Sequence, residues 1–90
     1  MQDIKTKTKK VEIFSTPQCH FCHEAKNWFG LNKIEFVDYD VTKDFARRQE
    51  LIHLGAMGVP LIRITGEGLT EPVIVNGFDV AHLKEILGVK

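Results

Sequence analysis

The chain has 90 residues; 43% are hydrophobic and 27% are charged, and twelve basic residues balance twelve acidic ones. A chain of this length holds one hydrophobic core, so the composition predicts a single domain that needs no disulfide staples. The balanced charge gives no overall field that favours nucleic acid, and no apolar run approaches the ~20 residues that cross a bilayer. We therefore expect neither nucleic acid nor a membrane as a partner, and we take a monomer as the simplest state.

Residues 1–9 form a polar, lysine-rich segment that we interpret as a flexible tail ahead of a domain over residues 10–90. The segment lacks the apolar stretch of a secretory signal, so the cytoplasm is the expected compartment. Glutathione and thioredoxin keep thiols reduced there. The two cysteines of the chain, Cys19 and Cys22, therefore indicate redox chemistry or a metal site rather than a structural disulfide.

The rest of the chain predicts seven elements in the order β-α-β-α-β-β-α. Asp40 or Thr42 is the predicted N-cap of the second helix, and Asp79 is that of the third. A right-handed crossover makes the first two strands parallel, and the last two pair as an antiparallel hairpin. This layout is the thioredoxin fold, an α/β domain whose four-stranded mixed sheet has helices on both faces. The predicted strands cover residues 11–14, 34–39, 60–65 and 72–75, and the predicted helices cover 20–31, 43–54 and the segment from 80.

Each predicted helix carries apolar side chains at helical spacing. For Trp28, Phe29 and Phe45 the alternative is an exposed stripe that binds a partner, but this spacing favours core packing. The predicted core-facing side chains are Phe21, Ala25, Trp28 and Phe29 in the first helix, Phe45, Ile52 and Leu54 in the second, and Val80, Leu83 and Leu87 in the third.

The pair Cys19-x-x-Cys22 lies where the first strand ends and the first helix begins. Unpaired backbone amides and the positive end of the helix dipole favour an anion at that place. We therefore expect Cys19 to have a lowered pKa and to act as the nucleophile, while Cys22, one turn further in, resolves the mixed disulfide. His20, His23 and Lys26 either add positive charge to this site or are ordinary surface residues, and His20 is the strongest candidate because it lies between the cysteines.

A second candidate element is the dipeptide Val59-Pro60 at the start of the third strand. A cis bond here would turn the backbone groups of Val59 outward beside Cys19. Those groups could pair with an extended substrate as an edge strand does. The alternative is a proline that merely starts a strand.

Three segments resemble the glutaredoxins and the glutaredoxin-like redoxins, in the order that the family has them. They are Ser-Thr-Pro-Gln-Cys-His-Phe-Cys (15–22), Met-Gly-Val-Pro (57–60) and Asn-Gly-Phe-Asp (76–79). The resemblance implies a cis bond between Val59 and Pro60, Cys19 as nucleophile, Cys22 as resolving thiol and Phe21 as the aromatic residue of the motif. It further implies disulfide-containing proteins as substrates and no bound cofactor, with glutathione as a candidate co-substrate.

The departures from the family pattern concern the electron donor. Glutaredoxins that use glutathione usually carry a lysine where this chain has Thr16, and a Gly-Gly pair where it has Gly77-Phe78. The Gly-Phe pair is more similar to the NrdH-type redoxins, which take electrons from thioredoxin reductase. Backbone amides near Phe78 and Asp79 could still hold a glutathione carboxylate, unless Asp79 is simply a helix cap. Ile13 stands where thioredoxins bury a carboxylate, so no internal base is evident for Cys22.

Two other interpretations of the cysteine pair remain. Cys19 to His23 also matches the C-x-x-C-H pattern of c-type haem attachment, which would need export and a helix-rich pocket. A zinc or iron–sulfur module would use Cys19 and Cys22, but these cysteines and one neighbouring histidine supply at most three of the four ligands that zinc prefers.

Overall fold

The computed structural model describes residues 9–66 and 68–89. The elements of these ranges follow the predicted order, and none of their helices has the length and apolar character needed to span a membrane. The predicted tail lies outside the described residues except for Lys9, which begins the first strand. The strands are β1 (Lys9–Ser15), β2 (Val37–Asp40), β3 (Leu61–Gly66) and β4 (Val73–Asn76), and the helices are α1 (His20–Leu31), α2 (Phe45–His53) and α3 (Val80–Leu87).

The strands form one mixed sheet in the order β2-β1-β3-β4. β1 is parallel to β2 and antiparallel to β3, and β3 is antiparallel to β4. Ile13 in the middle of β1 lies opposite Asp38 of β2 and Ile62 of β3. The predicted four-stranded mixed sheet is therefore confirmed.

Successive side chains of a strand point to opposite faces of the sheet, so β1 contributes to two cores. Ile13 belongs to the larger core beneath α1 and α3, and Phe14 belongs to the smaller core beneath α2. Helices therefore cover both faces, as predicted. The larger core contains Val11, Ile13, Ala25, Phe29, Ile34, Ile62, Ile64, Val75, Leu83 and Leu87, and the smaller contains Phe14, Val41, Leu51 and Leu61.

The second strand is shorter than predicted, because the chain that leaves α1 is still bonded to that helix. Lys33 adopts a left-handed conformation, and the amide of Ile34 donates a 2.8 Å hydrogen bond to the carbonyl of Phe29. Pairing with β1 begins at Val37. Ile34 nevertheless packs in the larger core, so its apolar character indicates that it is buried and not that it belongs to the strand.

The predicted caps of the second helix, Asp40 and Thr42, are wrong. The Asp40 carboxylate instead accepts hydrogen bonds from the amide and the hydroxyl of Thr42, which form a turn. Asp44 caps α2, with its side chain accepting the amide of Arg47 at 3.1 Å. Aspartate is a strong cap at each of these positions, so propensity alone does not choose between them.

Three of the side chains predicted to lie in the core are exposed: Phe21 (59%), Phe45 (72%) and Ile52 (58%). In α2 the core residue is Leu51, and Leu54 packs partly against the smaller core. The apolar residues of this short helix fall on more than one face, so they do not identify the side that meets the sheet.

A cluster of charged and aromatic side chains lies on the α2 face of the sheet. Glu12 of β1 is 4% exposed and accepts hydrogen bonds from Arg63 of β3 at 2.7 and 3.1 Å and from the Tyr39 hydroxyl at 2.6 Å. Glu50 of α2 bonds both Arg63 at 2.7 Å and Arg47 at 2.8 Å. The cluster therefore joins three strands to the helix.

Candidate redox site

The cysteine pair lies at the junction of β1 and α1, as the sequence predicts. Cys19 is the N-cap of α1, and its sulfur accepts a 3.2 Å hydrogen bond from the backbone amide of Cys22. Its side chain is partly exposed, whereas Cys22 is completely buried, and both are free thiols. A sulfur at this position accepts a hydrogen bond from an amide of the first helical turn, which has no partner within the helix.

The loop before β3 lies beside Cys19. The bond between Val59 and Pro60 is cis, and the Val59 carbonyl oxygen accepts a hydrogen bond from the Cys19 thiol at 3.7 Å. The amide of Gly77 donates to the Pro60 carbonyl at 2.8 Å, which joins this loop to the end of β4. A shallow cavity of about 290 Å³ is lined by Met57, Gly58, Val59, Pro60, Asn76 and Gly77.

The turn that precedes Cys19 is held by backbone groups. The Cys19 amide donates to the Thr16 carbonyl at 3.2 Å. A backbone hydrogen bond from Thr16 also acts on the Cys22 sulfur. The His23 ring donates from Nε2 to the Pro17 carbonyl at 2.8 Å. Thr16 therefore acts on the cysteines through its backbone, and His23 braces the turn.

Burial raises the pKa of the Cys22 thiol to about 12, and its hydrogen bond with Cys19 and the charge of Cys19 add to the rise. The Thr16 backbone and the charge of Lys26 act in the opposite direction. Cys22 is therefore a protonated thiol at neutral pH while Cys19 is unmodified, which suits a second thiol that acts after the first.

The charged residues of α1 are engaged with other partners. The His20 ring lies 3.1 Å from the Glu24 carboxylate, and both side chains are at least half exposed. Lys26 donates to Asp38 of β2 at 2.9 Å, and the hydroxyl of the buried Ser15 donates to the same carboxylate at 2.5 Å. Lys26 is thus a positive charge of α1 that acts on the buried thiol, whereas the His20 ring faces Glu24.

Two exposed apolar side chains belong to the segments that flank Cys19. Phe21, between the two cysteines, is 59% exposed, and Met57, two residues before Val59, is 93% exposed. Both segments beside Cys19 therefore present an apolar side chain to solvent.

Phe78 and Asp79, which the sequence places in the same site, have other neighbours. Phe78 packs edge-on against Trp28 with ring centroids 6.1 Å apart. The Asp79 carboxylate accepts the amide of His82 at 3.2 Å and caps α3. The two residues therefore lie directly before α3, and Phe78 borders a separate groove of about 250 Å³. This groove is lined by Glu24, Asn27, Trp28, Leu31, Phe78 and Val80.

Sequence reasoning missed the contact of Ser15 and Asp38. A signal for it exists in the segment predicted as the second strand, residues 34–39, where Ile34, Phe36 and Asp38 stand at alternate positions. An acidic residue in register with two apolar ones indicates a carboxylate that has a partner on that side.

Within residues 9–66 and 68–89, no group of three or more histidine, cysteine, aspartate or glutamate side chains is arranged to hold a metal ion. The His23 ring, which completes the C-x-x-C-H pattern, bonds the Pro17 carbonyl.

Comparison with known proteins finds a family model and related sequences that match this chain. The family model for glutaredoxin matches residues 11–69. An uncharacterized glutaredoxin-like 8.6 kDa protein in the rubredoxin operon of Clostridium pasteurianum is 33% identical over 78 residues, which cover 86% of this chain and 96% of that protein. A probable thioredoxin of Methanothermobacter marburgensis is 38% identical over 64 residues, covering 63% and 71% of the two chains.

Solved structures show the same fold. The thioredoxin-like protein BC3987 has a TM-score of 0.73 and 28% identity, with 86% of this chain and 99% of that chain covered. The NrdH-redoxin from Escherichia coli has a TM-score of 0.72 and 18% identity, with 86% and 93% covered. The predicted thioredoxin fold is confirmed.

Proposed function

The chain belongs to the glutaredoxin family, and on that premise we propose that it is a thiol–disulfide oxidoreductase of the cytoplasm that reduces disulfides by a two-cysteine mechanism. The observation that carries the proposal is the geometry of the pair. Cys19 is accessible at the N-terminus of α1 with its sulfur bonded to an amide, and Cys22 is buried one turn behind it.

The reaction has two exchange steps. The Cys19 thiolate attacks one sulfur of the substrate disulfide, so that a Cys19–substrate bond forms and the other substrate sulfur leaves as a thiolate. Cys22 then loses its proton and attacks the Cys19 sulfur, which releases the second substrate thiolate. Two electrons have passed to the substrate, its two thiolates take up two protons, and the protein is left with a Cys19–Cys22 disulfide.

The exposed surface beside Cys19 supports an extended polypeptide as the substrate. The Val59 carbonyl lies 3.7 Å from the Cys19 sulfur, so the backbone of this loop is placed to pair with residues next to a substrate cysteine. Phe21 and Met57 offer apolar contacts on the two flanking segments.

A reductase of the thioredoxin-reductase type, rather than glutathione, is the proposed electron donor. Thr16 offers no positive charge for a glutathione carboxylate. At the start of α3, beside the other candidate site for that carboxylate, the amide of His82 already donates to the carboxylate of Asp79. An anionic ligand at this helix end would have to compete with that cap for the amide and would lie next to its negative charge.

The experiment is a disulfide-reduction assay coupled to NADPH oxidation with wild type, Cys19→Ser and Cys22→Ser. Cys19→Ser should abolish reduction, and Cys22→Ser should accumulate a mixed disulfide that intact-mass measurement detects. Full activity of Cys19→Ser would contradict the proposed mechanism. One arm supplies glutathione and its reductase and the other supplies thioredoxin reductase; faster turnover in the glutathione arm would contradict the proposed donor.

A further inference from the structure

The buried Cys22 thiol must lose its proton before it can react, and the cysteine pair does not itself supply a charge that favours this loss. Cys22 must become a thiolate to attack the Cys19 sulfur, yet it is completely buried, and burial penalises the charged form. Ile13, the residue of β1 that faces the same core, is apolar. A stabilising charge for the Cys22 thiolate must therefore come from a residue outside the apolar core.

A chain of polar contacts that joins α1 to β1 and β2, with Asp38 at its exposed end, supplies such a charge. Lys26 lies one helical turn after Cys22, and residues at this spacing are neighbours on one helix face. Its ammonium donates to Asp38 at 2.9 Å, and the buried Ser15 hydroxyl donates to the same carboxylate at 2.5 Å. The lysine side chain is 25% exposed, so most of it lies against the protein.

We propose that Lys26, held by Asp38 and Ser15, is a positioning residue that stabilises the thiolate of Cys22 during the resolving step. The inference rests on the proposed function and adds to it a residue that is not one of the cysteines. A free lysine side chain samples many rotamers, so an ammonium fixed by a carboxylate acts on the thiol more steadily than a mobile one.

The direction of the electrostatic effect agrees with this role. The charge of Lys26 lowers the pKa of Cys22, against the larger effect of burial. Cys19, on the same helix, is the other titratable group whose charge acts on Cys22, and it acts in the opposite sense. From the preceding turn, Thr16 contributes its backbone. The sheet residues of the larger core are apolar, whereas Ser15 and Asp38 are polar sheet residues on this side, and the Asp38 carboxylate is bonded to Lys26.

The test separates the two exchange steps with dithiobis(nitrobenzoate) as the substrate. The first coloured thiolate reports the attack of Cys19, and the second reports the attack of Cys22 on the mixed disulfide. When the rate of the second release does not depend on the reagent concentration, that release measures the resolving step. Lys26→Met should slow that step about threefold to tenfold at neutral pH, shift its pH profile to higher pH, and change the first step less than twofold.

Matched variants make the test specific. Lys26→Arg keeps the charge and the contact with Asp38, so it should restore the second step to within about twofold. Lys84→Met removes an exposed lysine from α3 and should have no effect on either step. Asp38→Asn keeps an acceptor for Lys26 and Ser15 but removes the negative charge, so the second step should keep its rate or become faster.

Three results would overturn the inference. The first is a second-step rate in Lys26→Met that equals the rate in Lys84→Met. The second is an equal slowing of both steps in Lys26→Met. The third is a second-step rate in Asp38→Asn as low as that in Lys26→Met, which would make the carboxylate the proton acceptor. A wild-type protein that shows no concentration-independent second step would instead contradict the two-cysteine function itself, and the inference with it. Thermal unfolding of each variant checks that the fold is retained.

Discussion

At the scale of single residues, the state of Cys22 depends on the state of Cys19. Burial is the largest cause of its raised pKa, and two further causes, the hydrogen bond and the charge, come from Cys19. Once Cys19 is joined to a substrate sulfur, it carries no charge and is a poorer acceptor. Both of these causes then weaken, so Cys22 becomes easier to deprotonate after the substrate is bound than before.

Phe21 illustrates how position outweighs periodicity at this scale. Its spacing to Ala25 and Phe29 predicts a core side chain, but it belongs to the first turn of α1, beyond the area that the sheet covers. Cys22, the next residue, takes the buried direction instead. The exposed ring lies next to His20, with centroids 5.6 Å apart, in the turn between the two cysteines.

Phe21→Ser should weaken the reaction with protein disulfides without weakening the fold. The ring is more than half exposed, so we expect the free energy of unfolding to change by less than about 0.5 kcal/mol. The KM for a protein disulfide should rise, while the rate with dithiobis(nitrobenzoate) stays the same. Leu31→Ser, which removes an exposed apolar side chain at the other end of α1, is the control and should change neither value. An unchanged KM in Phe21→Ser would show that the ring does not contact the substrate.

At the scale of elements, α2 is attached to the sheet by charge as much as by apolar packing. Leu51 is the residue of this helix that lies in the smaller core. Glu50 bonds Arg63 of β3, and the Arg47 guanidinium lies 4.0 Å from the centre of the Tyr39 ring of β2. The loop that carries Val59 follows α2 directly, so the attachment of this helix also places one side of the redox site.

Arg63→Met should destabilise the protein strongly. The substitution leaves the carboxylate of Glu12, which is 4% exposed, without its main cation, and an uncompensated buried charge costs about 3–5 kcal/mol. Chemical denaturation measures the loss of unfolding free energy. Arg48→Met, at an exposed position of α2, is the matched control and should change it by less than about 0.5 kcal/mol. A loss below 1 kcal/mol in Arg63→Met would mean that the cluster contributes little net stability.

At the scale of the whole molecule, the sequence predicts the topology better than it predicts the contacts between distant segments. The order of elements and the place of Cys19 follow from local patterns, because a β-branched run predicts a strand and a capped amphipathic stretch predicts a helix. The contact of Cys19 with Val59 spans forty residues. That of Arg63 with Glu12 spans fifty-one. Such contacts depend on sheet order and register, which the sequence predicts only after the fold is assumed.

Packing also decides the neighbours of two sequence-predicted site residues, Phe78 and Asp79. Phe78 and Asp79 follow β4 at the edge of the sheet, whereas Cys19 follows β1 in its interior. Gly77 still reaches the site because its amide bonds Pro60, but Phe78 turns toward Trp28. The family motif therefore identifies the segment ahead of α3, and packing decides what each of its residues contacts.

The stability of the whole protein should fall when the pH drops below about 4.5, the ordinary pKa of a glutamate. Burial raises the pKa of Glu12, but hydrogen bonds from Arg63 and Tyr39 and the charges of Arg63 and Lys10 lower it overall. Hydrogen bonds from Arg63 and Arg47 lower the pKa of Glu50. The unfolded chain then binds protons more readily than the folded one, so the stabilisation is complete above pH 4.5 and is lost as the pH falls through the lower folded values.

Urea denaturation from neutral pH down to about pH 3 measures this loss as a slope of unfolding free energy against pH. Glu12→Gln removes one of the carboxylates whose pKa is lowered in the folded protein, which include Glu50 and Asp40. Its slope below pH 4.5 should therefore be shallower than that of the wild type, although the variant is less stable at neutral pH. Glu85→Gln, at an exposed position of α3, should keep the wild-type slope. Equal slopes in Glu12→Gln and the wild type would place the acid sensitivity in other carboxylates, because the Glu12–Arg63 contact would then contribute nothing to it.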